Sequence, residues 1–202
     1  DERKINPRSL EDIIGGSGTQ EIPIYDIQGQ TGLSPYEGQD VTTSGIVTGI
    51  AYNGYFIQDG SGPWNGIFVF DNENVPEVGD DVTVMGEVQE YYDMTELGYI
   101  SSFVVNSQGN EVPEATIITG QQSLMEDYES VLVRVENIEV TELPNNYNEW
   151  QGMAADGETM VMDDVMFEYT PEMGAHLNIT GCMMYSFSVF KLNPRFAEDI
   201  TP

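Results

Sequence analysis

Positive charge is what this sequence has least of. Six Lys and Arg stand against 35 Asp and Glu, a formal net charge of −29 over 202 residues. From Glu21 to Gly120 there is no Lys or Arg at all. Duplex phosphate backbones are held by basic side chains and repelled by such a surface, so duplex nucleic acid is excluded as a partner. One cysteine, Cys182, rules out an internal disulfide. One histidine, His176, rules out a His-rich metal centre and leaves any Ser-His-Asp triad dependent on that residue. Gly-x-Ser-x-Gly, His-Glu-x-x-His, Walker A and Cys-x-x-Cys patterns are absent. So is any run of 18 apolar residues, and no transmembrane segment is expected.

What is present is β-forming. Glycine (21), proline (10) and 10 % aromatics suit many turns rather than a helical bundle. Period-two apolar patterns with β-branched residues mark strands at 41–50, 55–59, 66–70, 82–88, 97–105 and 115–118. They recur about every ten residues with turn signals between them, the spacing of a small barrel or sandwich. Upstream, residues 1–20 read as an arm with one short turn at Ser9–Ile14 and a hinge at Gly15–Gly18. Ile22, Ile24 and Tyr25 follow as an extended segment able to add to a sheet edge.

The second half echoes the first. Gly79-Asp-Asp-Val-Thr-Val-Met-Gly86 and Gly174-Ala-His-Leu-Asn-Ile-Thr-Gly181 share one form, 95 residues apart. Tyr36-Glu-Gly and Tyr128-Glu-Ser precede matching strands, 92 residues apart. Two landmarks at nearly one offset indicate a tandem duplication. The expected organisation is an arm at 1–20, a barrel at 21–120 and a divergent copy at 121–202, each half sufficient for five strands.

These residues carry a family resemblance. S-P-Y-E-G-Q-D-V-T-T-S-G-I-V-T (34–48), G-Y-F-I-Q-D-G (54–60), G-I-F-V-F (66–70), V-G-D-D-V-T-V-M-G-E-V-Q-E-Y-Y (78–92) and T-E-L (95–97) resemble the OB-fold module of secreted bacterial nucleases of the endonuclease/exonuclease/phosphatase type. The likeness covers roughly residues 22–120. L-M-E-D-Y-E-S-V-L-V-R-V (124–135) resembles the opening of the next such module, and F-K-L-N-P-R-F-A-E-D-I (190–200) its closing segment. The resemblance implies an all-β fold of two tandem OB-fold-like barrels and an extracellular or cell-surface address, which a chain opening at Asp1 fits. The family's catalytic domain has no counterpart here, so it implies binding or scaffolding rather than catalysis.

The chemistry on offer follows from the side chains. Calcium takes six to eight oxygen ligands. Asp59, Asn65, Asp71, Glu73, Asp80 and Asp81 are the candidate set, against the plainer reading of solvated turns. Exposed Tyr52, Trp64, Tyr91 and Trp150 are the candidate contacts for carbohydrate, peptide or single-stranded nucleic acid. The clustered methionines of the second half are expected to fill its core. Two functions remain: a secreted scaffold that polymerises with itself through the arm, stabilised by calcium, and an accessory binding module beside a surface enzyme.

Overall fold

The computed structural model describes residues 20–202. The arm's turn and its glycine hinge lie outside the described residues. Strand β1 (Asp40–Ala51) alternates inward and outward residues over most of its length. It serves two neighbours. Residues 40–46 pair with β4 (Asp81–Tyr91), and residues 46–51 pair, across a bulge at Val47–Gly49, with β2 (Gly54–Gln58). One strand that bends to pair on both sides is what closes a small sheet on itself. β2 pairs antiparallel with β3 (Gly66–Phe70), β3 runs parallel to β5 (Met94–Ser107), and β5 returns antiparallel to β4. The ring is therefore β1-β2-β3-β5-β4.

The second half repeats it. After the two-residue β6 (Thr116–Ile117) come β7 (Leu132–Glu142), β8 (Trp150–Met153), β9 (Thr159–Met162), β10 (His176–Ser186), β11 (Val189–Asn193) and β12 (Ile200–Thr201). β7-β8-β9 is an antiparallel meander, β9 is parallel to β11, β11 is antiparallel to β10, and β10 pairs back with β7. Strand order and direction match the first ring member for member. The chain is all-β with two tandem OB-fold-like barrels. β6 pairs with β7, so the second sheet begins slightly before the expected boundary at 121.

The duplication extends to single hydrogen bonds. Gly79 (φ 91°) donates to the Val47 carbonyl and Val47 to that of Asp80. Gly174 (φ 74°) donates to the Val140 carbonyl and Val140 to that of Ala175. Only a residue tolerating the left-handed region makes this turn cheaply, which accounts for glycine at the shared position.

Each barrel fills its own interior. Val41, Tyr55, Ile57, Val69, Val84 and Leu97 are among the buried core of the first. Ile138, Trp150, Met160, Met162, Ile179 and Leu192 are among that of the second, where the methionines are packing residues. The expected edge strand at 22–25 is corrected. Ile22 donates to the Thr42 carbonyl of its own barrel, and Pro23 opens a one-turn helix, α1 (Ile24–Gln28). Ile24 and Ile27 of α1 are fully buried against that barrel, while Tyr25 and Asp26 face outward. The segment plugs its own barrel and is not free to augment another sheet.

A third core welds the barrels. Phe56, Phe68 and Met94 of the first pack with Leu132 and Cys182 of the second, and the Phe56 and Phe68 rings lie 4.9 Å apart. A Cβ on Gly66 would sit 2.2 Å from the Ser130 carbonyl oxygen, so glycine is what lets the two backbones meet. Buried Gln58 accepts from the Leu132 N–H at 2.6 Å. Arg195, in a bidentate pair with Asp199, donates to the Thr48 carbonyl at 3.1 Å. Burial pushes the Cys182 thiol up to about 12, which leaves it an inert packing group. Among the described residues no helix is long and apolar enough to cross a membrane.

Candidate functional site

The calcium set does not gather. Asp59 and Asn65 precede β3 while Asp71 and Glu73 follow it, so the two groups stand at opposite ends of a five-residue strand, on the order of 15 Å apart. Their polar atoms are engaged locally. Asp59 accepts the Ile24 N–H at 2.8 Å, and Asn65 donates to the carbonyls of Ser61 and Pro63. Asp71 accepts the Glu73 and Asn74 amides, Asp80 accepts the Glu77 amide at 2.9 Å, and Asp81 accepts from Asn106. Among the described residues no three acidic, histidine or thiol groups come together to hold one ion.

The four candidate aromatics part company. Trp150 is 2 % exposed inside the second barrel against Tyr169, a correction to its reading as a ligand contact. Trp64 is half-buried at the junction, where its backbone N–H donates to the Asp127 carbonyl at 2.7 Å. Tyr52 and Tyr91 are exposed as expected, at the β1–β2 turn and the end of β4. The turn between strands 1 and 2 and that between strands 4 and 5 are where OB-folds present ligand contacts.

The equivalent turns of the second barrel hold aromatics that the sequence reading passed over. Tyr147 lies in the loop between β7 and β8, and Phe187 in the hairpin between β10 and β11. Phe187-Ser188 (φ 52° and 65°) and Tyr92-Asp93 (φ 51° and 67°) are matching two-residue turns, each closing the strand 4–5 hairpin of its barrel. Both central residues take positive φ, the geometry for which Asn-Gly is the cheap solution. Each barrel instead places an exposed aromatic there, in strained backbone. The 95-residue offset maps Tyr92 onto Phe187 and is the signal that would have found it.

Tyr52, Tyr147 and Phe187 rim one cleft of about 800 Å³ that spans both barrels. They are 83, 78 and 91 % exposed, so three ring faces stand open to solvent around it. Its floor is the buried Lys191, which donates to Glu149 and, at 2.9 Å, to Asp163. Burial works against the Lys191 ammonium, but these two hydrogen bonds outweigh it and raise its pKa. The Lys191 hydrogen bond holds the Glu149 carboxyl below its usual range. Asp164 adds a carboxylate, and Met184 and Val165 an apolar patch. The arrangement offers ring faces for stacking and fixed carboxylate acceptors for hydroxyls, with no net positive field.

A second cleft, about 770 Å³, opens on the first barrel between the end of β3, β4 and β5. It contains Tyr91 and six carboxylates, of which Glu96 is the most deeply set. No protein-family model matches the chain, and no curated protein matches it significantly.

Proposed function

We propose that the chain is a secreted, non-catalytic binding module that takes a neutral carbohydrate chain in the cleft across the two barrels. The supporting observation is the convergence there of Tyr52 and Tyr147, from the equivalent strand 1–2 turns of the two barrels, with Phe187 from the strand 4–5 hairpin of the second. Aromatic faces stack on the C–H faces of sugars while carboxylates accept their hydroxyl protons. The charge of −29 opposes a phosphate-bearing strand in the same place. Calorimetric titration with a panel of neutral oligosaccharides tests the reading. Tyr147→Ala and Phe187→Ala should each weaken the best ligand at least about tenfold, as loss of one stacked ring does. Tighter binding of single-stranded DNA than of any sugar, with a steep salt slope, would overturn it.

The welded junction favours a second reading, a stiff scaffold unit that polymerises with itself at the cell surface. There, residues 1–20 would carry the contact and calcium would relieve repulsion between anionic copies. Sedimentation with and without calcium separates the two readings. A monomer in both conditions removes the scaffold.

A further inference from the structure

The two barrels can be compared position by position at the parallel contact between strands 3 and 5. In the first, Phe68 pairs with Glu96 and Val69 with Leu97. In the second, Val161 pairs with Lys191 and Met162 with Leu192. Glu96 and Lys191 therefore hold the same place, and both are 4 % exposed. Their surroundings differ. Lys191 has two carboxylate partners, Glu149 and Asp163. The register puts Gly54 and Phe70 at those positions in the first barrel.

The Glu96 carboxylate thus has no hydrogen-bond or ion-pair partner among the described residues. It lines the cleft with Glu37, Asp71, Glu73, Glu87 and Glu90, and Glu129 is a further negative neighbour. Desolvation pushes its carboxyl up to about 7. A buried carboxylate is stable when a donor reaches it, and one barrel supplies that donor internally while the other does not. Among the described residues no three acids come together to share a metal ion, so a cation that brings its own hydrogens suits Glu96 better than a bare one. Tyr91 and Tyr99 border the same cleft, and ring faces attract such cations.

We propose that this cleft binds the ammonium or guanidinium of a basic peptide, which takes at Glu96 the place that Lys191 fills from within in the second barrel. The site stands independently of the carbohydrate reading. One source of such a segment is the chain itself. Arg3, Lys4 and Arg8 are half of its six basic residues, and they precede a barrel that has none up to Gly120.

The test uses the full chain and a labelled, end-capped peptide of sequence Arg-Lys-Ile-Asn-Pro-Arg, with binding read by fluorescence anisotropy. The wild type should bind it, and Glu96→Gln should weaken binding about tenfold or more, the scale of one charge-assisted hydrogen bond. Glu96→Lys, which supplies its own ammonium, should also abolish binding, so the site can still be tested if one variant folds poorly. Equal affinity of wild type and Glu96→Gln, or equal binding of a peptide with Gln at all three basic positions, would overturn the proposal. Replacing Arg3, Lys4 and Arg8 by Gln in the full chain identifies the source. Tighter peptide binding then means that the chain's own arm competes for the cleft, and unchanged affinity assigns the site to another protein's basic segment.

Discussion

Single residues divide this molecule into positions the sequence discloses and positions it hides. Tyr55, Ile57 and Val69 share the first barrel's core, because alternate residues of a strand face one way. Trp150 was misread because four residues of β8 are too few to show a phase. The 95-residue offset from Tyr55 carries the missing phase, and both side chains are interior. Trp150→Ala should accordingly destabilise the fold by about 3–5 kcal/mol in urea unfolding, as a large core cavity does, and leave carbohydrate binding to the folded fraction unchanged. The pairing of Lys191 with Glu149 lies 42 positions apart in sequence, and nothing local announces it. Lys191→Met removes the one counter-charge that the described residues place in that pocket and should cost about 3 kcal/mol, because Glu149 and Asp163 lose the cationic donor they share.

At the scale of elements, the strands of the first barrel were legible and the one α-helix among the described residues was not. Apolar residues at 22, 24 and 27 fit a strand over their first pair and a helix over their second. Pro23 settles it, because it donates no N–H to a ladder and its φ of −56° leads into a helical turn. The hairpin turns hid for another reason: aromatics at positive φ violate the local preference by which such turns are recognised. That violation has a measurable consequence. Replacing Phe187-Ser188 by Asn-Gly should raise the stability by about 1 kcal/mol, the strain of a side chain in the left-handed region. The same change should abolish carbohydrate binding. A variant that gained stability and kept full affinity would show that the ring is not a ligand contact.

For the whole molecule, composition foretold the charge but not where it is trapped. Glu96 and Glu126 are pushed by burial to about 7, and Glu129, 1 % exposed beside them, is raised well above the ordinary carboxyl value of 4.5. Repulsion among Glu90, Glu126 and Glu129 adds to the effect at this corner of the junction. The folded state therefore holds more protons than the unfolded chain between pH 4.5 and about 7. Unfolding free energy falls as pH rises wherever the folded state binds more protons, so this contribution is full below 4.5 and is lost as pH climbs through 7. Melting temperature should decline across that window at constant ionic strength, and Glu129→Gln should flatten the decline. The junction itself was invisible in the sequence, since Gln58 meets Leu132 across 74 positions and Gly66 looked like any other strand glycine.

The apolar seam between the cylinders sets how this gene can be cut. Phe56 and Phe68 would face water in a fragment ending near residue 120, and Leu132 and Cys182 in one beginning there. Half-length products should come out of cells as insoluble aggregates, while the two pieces made together should reassemble. For shuffling into larger polypeptides, the indivisible cassette is the tandem and not the single repeat.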